Sequence, residues 1–582
     1  MAASAEGPHA MRVRLADADM GDSGSQDALE RLNHAVAELK AITVAPLLRR
    51  AVAAIGAGDP KAAANLAIEV LGHDDRNGLG WQVLAIAREM SGDFKNSIKA
   101  YEAALALQPD HAEIANDLGR LAYRMGQKTL AAQLFIQYRA ARPDCANGAN
   151  NLACVLRDLQ EYAAAVELLQ QAIQANLGEA ILWNTLGTVV SAQGDAANAM
   201  VFFDEALRLD PNFAKARYNR GNTKLEFGDF DAALADCEAA MAGAAGPAEL
   251  AMMRLAQSTM RLCAGRVGEG WDAYEARLDP LFPDATHFMS DRPRWEPQSN
   301  LAGKSLLVFG EQGLGDEVMF ANYLPDLIEA LGPDGRLILA LEARLIPLFQ
   351  RSFPNAQIGP HATYKLDGHT VRAAHFVEDD VAIDLWTPLA SPLRRFRRSV
   401  GAYPDRAAYL KPDPARVAHW RRELAGMPGR KVGFLWKSLK LDGARLREFS
   451  PFEQWRRVLQ TPGVSFVNLQ YGECAAELAQ ARDVMGLEIW QPPGIDLKDD
   501  LDDVAALTCA LDLVVAPPNA TSNIAAACGA PAWFITTPTG WPRLGQARYP
   551  WYPNTRVFIT ERFGDWGQVM AETAQALAAW AN

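Results

Sequence analysis

A period of 34 residues runs through the first half of this 582-residue chain and constrains its fold more than any other feature. One glycine per period is in phase, and leucines and alanines keep the same step. A unit of this length cannot bury its apolar side alone, so neighbouring copies must stack. The residues in phase are Gly58, Gly92, Gly126, Gly194 and Gly228 with Gln160 in the gap, Leu84, Leu118, Leu152 and Leu186, and Ala131, Ala165, Ala199 and Ala233.

Each copy has the pattern of a helical hairpin. Its spacing resembles that of the tetratricopeptide repeat (TPR), in which two short helices pair and successive pairs stack. The resemblance implies a superhelix with a concave groove over residues 58–247. The residues that carry it are Trp183, Leu186 and Gly187 in the first helix, and Ala199, Phe203 and Pro211 in and after the second.

The segments on either side of the repeats differ from them. Residues 1–26 are rich in Ala, Gly, Ser and Asp without any period, which predicts disorder. Residues 27–57 are predicted to be helical, with an apolar stripe that belongs either to the core or to a contact with a second chain. A helical hairpin and a proline-rich connector are predicted over 248–297. The stripe consists of Leu29, Leu32, Val36 and Leu39.

A polar position is also in phase with the repeats. Asn116, Asn150 and Asn184 occupy one position of the first helix, and we expect it to face the groove. A carboxamide donates and accepts at once, so a ladder of them is suited to the backbone of an extended peptide. The ladder is similar to that in the TPR superhelix of protein O-GlcNAc transferases. The alternative is that repeat duplication has carried along three asparagines that only face solvent.

Beyond residue 298 the pattern changes to alternating strand-like and helix-like runs. Residues 298–410 and 411–582 each predict a sheet of parallel strands with helices on its faces. Two such Rossmann-like halves are the layout of the GT-B glycosyltransferases, so the predicted fold class is α + α/β, a TPR superhelix followed by a GT-B fold. The predicted strands are Leu306–Phe309, Leu337–Ala340, Lys431–Trp436, Val464–Gln470, Asp512–Val515 and Ala532–Ile535, and the predicted helices of the first half are Glu317–Leu331 and Ala343–Ser352.

A glycine-rich turn follows the first of these strands. Such a turn, over Gly310–Glu317, lets backbone N–H groups and a helix N-terminus approach a charged or hydroxylated ligand. Gly313 and Gly315 are therefore predicted to bind the donor, and Asp316 places a carboxylate at the mouth of the sheet.

The chain as a whole resembles the TPR-fused bacterial glycosyltransferases. The resemblance covers roughly residues 60–580 and is closest to the flagellin-modification enzymes. It implies transfer of a nonulosonic acid such as pseudaminic acid, from a CMP donor, onto Ser or Thr of flagellin bound in the TPR groove. The motifs that carry it are Gly310–Glu317 with Phe320 and Tyr323–Pro325, then Trp271, Tyr274–Glu275 and Arg277 upstream, and Ala408–Leu410, Asn468–Gly472 and Pro550–Pro553 downstream.

Under this resemblance Asp316 is the candidate catalytic base, at the position taken as catalytic in the similar heptosyltransferases. A transferase of this kind needs a base for the acceptor hydroxyl and positive potential for the departing nucleotide. The structural alternative for Asp316 is an N-cap of the helix that begins near Glu317, and the two roles are compatible.

Donor binding is predicted at two places in the last half. Asn519, Thr521, Ser522 and Asn523 open a helix of small residues whose free N–H groups suit a phosphate. Lys437 and Ser438 end a strand, and Arg447 lies in the loop after it, where a cation suits a phosphate or a sugar carboxylate. The arginine cluster Arg394–Arg398 is either a solvated helix face or a further anion site.

The chain departs from the family pattern at the donor helix. Where the family has Asp-Thr, three residues and then His, this chain has Pro518-Asn519 and Asn523. The departure leaves open a TPR adaptor with an inactive transferase domain, or a transferase that uses UDP-hexosamine or ADP-heptose. A transferase for surface polysaccharide is a third alternative, although it would not explain the repeats.

Composition narrows the partners and the compartment. A net charge of −13 argues against a dedicated nucleic-acid binder, and no apolar run is long enough to predict a membrane span. Seven cysteines without a Cys-x-x-Cys pair indicate neither a disulfide framework nor a zinc site, which favours the cytoplasm. The spacing of His361, His369 and His375, expected in a loop, fits no metal site, and the proposed chemistry needs neither metal nor cofactor.

Overall fold

The computed structural model describes residue 31 and residues 42–282, 284–366, 369–378, 382–439 and 447–582. The chain forms two compact units, one up to Pro143 and one from Asp144 to Asn582. The segment predicted to be disordered and the apolar stripe over residues 29–39 lie outside the described residues.

The described part of the first unit consists of antiparallel helix pairs with the TPR pattern. In this unit Gly119 admits the ring of Phe135 from the paired helix, since a Cβ at this glycine would lie 2.7 Å from the ring. The helices are α1 (42–56), α2 (Pro60–His73), α3 (Gly78–Met90), α4 (Phe94–Leu107), α5 (Ala112–Arg124) and α6 (Lys128–Ala141).

The second unit begins with further helix pairs of the same kind. Gly187 and Phe203 repeat the close packing, because a Cβ at Gly187 would lie 2.6 Å from that ring. The helices are α7 (Ala146–Asp158), α8 (Tyr162–Ala175), α9 (Ala180–Gln193), α10 (Ala196–Leu209), α11 (Ala214–Leu225), α12 (Phe230–Met241), α13 (Pro247–Cys263) and α14 (Val267–Tyr274).

The in-phase glycines have a conformational cause. All five residues from Gly58 to Gly228 close a helix in the left-handed region, with φ from 73° to 102°. Gln160, which fills the gap, adopts the same conformation with φ 65°. A residue with a Cβ is disfavoured there, so the period reports a turn that each hairpin needs.

A parallel sheet follows the helices, in the order β4-β3-β2-β7. The same part of the chain also forms a smaller sheet, in the order β1-β6-β5. In this sheet β1 and β6 are parallel. The proline-rich connector contains β1, which the sequence did not predict and whose partner lies more than 80 residues later in the chain. The strands are β1 (Thr286–Phe288), β2 (Ser305–Phe309), β3 (Arg336–Leu341), β4 (Gln357–Pro360), β5 (Ala362–Leu366), β6 (His369–Ala373) and β7 (Leu385–Pro388).

The helix predicted over Glu317–Leu331 is divided in the structure. It begins earlier, as α15 (Leu314–Phe320), passes through a 3-10 turn and continues as α16 (Leu324–Leu331). Pro325 causes the division, because its ring has no N–H and is tolerated only in a first turn. The other helices of this half are α17 (Ile346–Ser352) and α18 (Leu393–Phe396).

A second parallel sheet, in the order β12-β11-β10-β8-β9, occupies the last part of the chain. A continuous apolar core extends from Trp271 through β2 to β10 and Trp551, so α14 and both sheets are packed together. The elements are α19 (Pro414–Leu424), β8 (Arg430–Phe434), α20 (Arg456–Leu459), β9 (Val464–Asn468), α21 (Ala475–Asp483), α22 (Leu501–Ala510), β10 (Leu513–Ala516), α23 (Ala520–Ala527), β11 (Ala532–Thr536), β12 (Thr555–Ile559) and α24 (Trp566–Ala581).

Among the described residues, no helix is long and apolar enough to cross a membrane.

Candidate functional site

A cavity of about 450 Å³ lies where the carboxyl ends of strands from both sheets meet. It is lined from the loops after β2, β3, β8, β9 and β10, which is the edge where parallel α/β sheets bind ligands. Predicted site residues from both halves of the sequence come together here. These are Gly313, Gly315, Asp316, Ser438, Asn519, Thr521 and Asn523.

Asp316 lies in the first turn of α15, on one wall of the cavity. Its Oδ2 accepts a hydrogen bond from the Gly313 N–H at 3.2 Å. Because α15 begins at Leu314, the carboxylate reaches back from the third helical position, and the predicted role of Asp316 as the N-cap residue is wrong. Gly313 is the N-cap, and a carboxylate in a first turn is stabilised by the helix dipole.

The N-terminus of α23 forms the facing wall. Asn519 caps it: its side chain accepts from the Ser522 N–H at 3.0 Å, and the Ser522 hydroxyl accepts from the Asn519 N–H at 2.9 Å. The side-chain Nδ2 of Asn519 is buried and has no acceptor among the described residues. A buried donor without an acceptor costs free energy, so this end of the cavity favours a ligand that accepts hydrogen bonds.

Gly315 brings the two walls into contact. A Cβ at Gly315 would lie 3.1 Å from Asn523 Nδ2 and 3.3 Å from the backbone nitrogen of Ala520. The Asn523 amide donates to the Gly315 carbonyl at 3.1 Å and accepts from the Tyr552 hydroxyl at 3.1 Å. Asn523, predicted as a donor ligand, therefore holds α15 against α23, although it also lines the cavity.

Three predicted donor residues lie outside the cavity lining. Ser522 is fully buried and its hydroxyl donates to the Pro517 carbonyl at 2.9 Å. The Lys437 ammonium is paired with Glu477. Burial raises the pKa of that carboxyl, but the lysine and the hydrogen bonds from its own backbone N–H and from Trp436 together lower it below its usual value. Arg447 is bonded to the helices α9 and α11.

The arginine cluster Arg394–Arg398 is solvated only in part: Arg395 and Arg398 are exposed, while Arg394 and Arg397 are more buried, and three of the four arginines are engaged in ion pairs. Arg394 pairs with Glu296 at 3.1 Å and Arg398 with Asp272 at 2.9 Å. Arg397 is buried and pairs with Asp326 at 2.5 Å. These carboxylates come from distant segments, which is why the sequence did not reveal them.

The cavity has two cations that sequence reasoning missed, Arg344 and Lys498. Arg344 is held by Glu342 at 2.9 Å and by Asp499 at 3.1 Å. It follows the carboxyl end of β3, a position that could have marked it as a candidate. Tyr471, Trp541 and Tyr549 add aromatic surface, and burial raises the pKa of Tyr549.

Buried ion pairs hold the glycine-rich loop in place. Glu311 accepts two hydrogen bonds from Arg277, at 2.7 and 2.8 Å, and one from the Ala390 N–H at 2.6 Å. Gln312 adopts φ 61°, and its carbonyl accepts from Arg372 at 3.3 Å. A loop tied down in this way presents its N–H groups in one arrangement, which is the preorganisation a binding site needs.

The asparagine ladder differs from its prediction. Asn150 Oδ1 accepts from the Thr185 hydroxyl at 2.5 Å, and Asn184 Oδ1 accepts from Asn219 at 2.9 Å. Asn184 is only 7% exposed, so its carboxamide joins adjacent repeats instead of facing a groove. Asn116 lies half-buried in α5 of the first unit.

The three histidines do not share a loop. His369 begins β6, and the ring of His361 lies 3.3 Å from the buried carboxylate of Glu317. His375 contacts the Tyr364 hydroxyl at 2.9 Å. No group of three metal-binding side chains occurs within the part of the chain that the structure describes.

Several known proteins match this chain only in the repeats, whereas a bacterial relative matches it over almost its whole length. Two tetratricopeptide repeat models match residues 83–146 and 150–212, and residues 202–235. Protein FlbA of Caulobacter vibrioides is 54% identical over 564 residues, which cover 97% of this chain and 94% of that protein. BBSome complex member bbs-4 of Caenorhabditis elegans is 26% identical over 136 residues, 23% of this chain and 29% of that protein.

A solved tetratricopeptide repeat protein from Parabacteroides merdae aligns with a TM-score of 0.35 at 15% identity, and covers 40% of this chain and 90% of its own.

Proposed function

This chain belongs to the family of Protein FlbA of Caulobacter vibrioides. We propose that it acts as a protein O-glycosyltransferase whose acceptor is flagellin. The observation that carries the proposal is that Asp316 and the N-terminus of α23 form two walls of one cavity. A carboxylate facing a helix N-terminus pairs a proton acceptor with a phosphate-binding end.

The donor is a CMP-linked nonulosonic acid. Such a donor carries one phosphate and one sugar carboxylate, and the cavity has two places for anions. The α23 N-terminus takes the phosphate, together with Asn519 Nδ2, which has no acceptor among the described residues, and Lys498 takes the carboxylate.

The reaction follows from this placement. The acceptor hydroxyl of Ser or Thr attacks the anomeric carbon while its proton passes to Asp316. The bond from that carbon to the phosphate oxygen breaks, and CMP leaves with the electron pair. The helix N-terminus and the cations stabilise the charge that grows on the phosphate.

The GT-B arrangement is part of the same proposal. Two all-parallel sheets with a common cavity at their carboxyl ends support it. The repeats bind the flagellin chain, because stacked TPR hairpins present a long surface to a protein partner. We place the reaction in the cytoplasm, where CMP-sugars and unexported flagellin would meet.

A TPR adaptor without catalysis is the second candidate. It is favoured by the contacts of Asn523, whose amide is engaged by Gly315 and Tyr552 and supplies no imidazole. The neighbouring Pro518 supplies no carboxylate either. In this alternative the residues around the cavity serve only to join the two sheets, and the cavity binds no donor.

Calorimetry of the full chain with CMP, UDP, ADP and GDP tests the proposal. Selective binding of CMP, together with sugar transfer to flagellin detected by mass spectrometry, is the expected result. Selective binding of UDP or ADP would redirect the donor to a hexosamine or a heptose. If none of the four nucleotides binds at millimolar concentration, the transferase proposal fails and the adaptor takes its place.

A further inference from the structure

A short segment connects the cavity wall with the helical repeats inside the second unit. Arg447, Glu448 and Phe449 follow one another in the loop after β8, and each contacts a different part of the fold. Phe449 lines the cavity. Glu448 accepts a hydrogen bond from the Thr537 hydroxyl at 2.7 Å, directly after β11.

Arg447 makes the contact with the repeats. One guanidinium N–H donates to the Ser191 carbonyl in the last turn of α9, and another to the carboxylate of Glu226 after α11, both at 2.8 Å. The cation also lies 4.8 Å from the ring centre of Phe563. A cation at the C-terminal end of two helices is stabilised by their dipoles as well as by the carboxylate.

This ion pair is shielded from solvent. The side chains of Arg447 and Glu226 are 18% and 13% exposed. Burial raises the pKa of Glu226, and the charge of Arg447 opposes that rise. Removing either partner would leave a poorly solvated charge, which is much more costly than losing an exposed pair.

A second connection between the helices and the cavity is apolar. Trp271 of α14 packs edge-on against Trp541, which lines the cavity, with ring centres 5.9 Å apart. That contact belongs to the common core. The contact of Arg447 is polar and involves α9 and α11, which precede α14 in the repeats. It therefore depends on how α9 and α11 are placed.

We propose that Arg447 is a positioning residue that couples the repeats to the cavity. By holding Phe449 against the cavity through Ser191 and Glu226, it makes the affinity of the cavity depend on the state of α9 and α11. A protein that shifts these helices would therefore change nucleotide binding without touching the cavity. The identity of the nucleotide rests on the proposed function, whereas the coupling itself does not.

Three variants of the full chain test the coupling with CMP as the probe: Arg447→Met, Glu226→Gln and the double variant. Each single variant is expected to weaken CMP binding about ten-fold, and the double variant no more than either, because both changes break one link. Arg266→Met, which breaks the exposed pair with Asp231, is the matched control and should bind CMP normally. If Glu226→Gln stays within about two-fold of the unsubstituted chain, the proposal is overturned.

Hydrogen exchange separates this proposal from the nucleotide assignment. Without any ligand, Glu226→Gln is expected to increase amide exchange in the peptide that contains Phe449 and in the wall around Tyr471. An increase confined to α11 would contradict the coupling even if CMP binds. An increase at the cavity in a chain that binds none of the four nucleotides would uphold the coupling and reject the proposed donor.

Discussion

The repeat helices and the loops of the two sheets use asparagine in opposite ways. In the repeats, Asn150 and Asn184 bond to Thr185 and Asn219 of the next hairpin, 35 residues away. At the cavity, Asn519 caps α23 with its oxygen and leaves Nδ2 buried without an acceptor in the described part of the chain. Equivalent positions of a stacked repeat are neighbours and satisfy one another, while a loop at a sheet edge has no such copy beside it.

The comparison teaches where a polar side chain is available for a ligand. Periodicity shows which residues meet, and for that reason it also shows which are already bonded. A polar residue just after a strand has no periodic partner, so its free hydrogen-bonding capacity is the better sign of a site.

The largest expected effect is the loss of transfer activity when Asp316 is replaced. Asp316→Asn removes the proton acceptor and should lower the rate of transfer to flagellin by roughly 10²- to 10⁴-fold, because that is the usual contribution of a general base. Nucleotide affinity should stay nearly unchanged. Transfer at the normal rate would exclude Asp316 as the base, and loss of CMP binding instead would assign it to the donor.

The second-largest effect is expected from overpacking the contact between α15 and α23 at Gly315. Gly315→Val places methyl groups where even a Cβ lies 3.1 Å from Asn523, so α15 and α23 must separate. We expect CMP affinity to fall about 5- to 150-fold, the equivalent of the roughly 1–3 kcal/mol that overpacking costs. Gly313→Ala is the control, since its Cβ would meet nothing closer than Asp316 Oδ2 at 3.6 Å.

The buried ion pair of Arg447 with Glu226 predicts that the stability lost in Arg447→Met depends on pH. In Arg447→Met the pKa of Glu226, already raised by burial, should rise further because the opposing charge is gone. A carboxyl with a raised folded pKa contributes stability that is present below its unfolded pKa and lost as the pH rises through the folded value.

The stability deficit of the variant should thus be smallest near pH 4, where only the contacts with Ser191 and Phe563 are lost, and should grow by about 1–3 kcal/mol toward pH 8. Thermal denaturation midpoints between these pH values would measure the difference. Adding Glu226→Gln should remove the pH dependence. A deficit that is constant with pH would show that Glu226 is not the group that titrates.

A smaller effect is expected at the unpartnered amide. Asn519→Ser keeps a good N-cap but loses Nδ2, so CMP affinity should fall about ten-fold, the value of one hydrogen bond to a charged group. The denaturation midpoint should barely change, which calorimetry and a melting curve on the same sample can check. Unchanged affinity would mean that the ligand does not reach this end of the cavity.

The smallest effect tests the repeat side of the comparison. Asn184→Ala should lower stability by about 1 kcal/mol through the lost bond to Asn219 and leave CMP binding unaltered. Asn219→Ala and the double variant should show that the two changes are not additive. If Asn184→Ala instead prevents flagellin binding in a pull-down while stability is unchanged, the original peptide-ladder hypothesis returns.

Much of the architecture could be predicted because it is local. The 34-residue period, the helix pairs and six of the strands came from spacing and composition, since each hairpin or strand is specified by its own residues. Strand β1 escaped because three residues have no readable alternation and its partner β6 is distant in the chain. The broken helix at Pro325 was missed although the proline was visible.

The site was predicted in part. Residues directly after β2, β8 and β10 were singled out, and the structure gathers Asp316, Ser438 and Asn519 at one cavity. Arg344 and Lys498 were missed, because a lone cation in a loop has no pattern. Lys437 and Arg447 were predicted to bind the donor because of their positions. In the structure they are paired with the carboxylates of Glu477 and Glu226 and lie outside the cavity lining.

The sequence by itself determined the repeat, its left-handed turns and the order of strands and glycine-rich loops. Each of these follows from the conformational preferences of a few neighbouring residues. Only the tertiary structure decided which polar groups are already bonded, from Asn184 in the repeats to Arg447 at the cavity wall. Hydrogen bonds and ion pairs join residues that are distant along the chain, and burial sets their strength, so neither is written in local spacing.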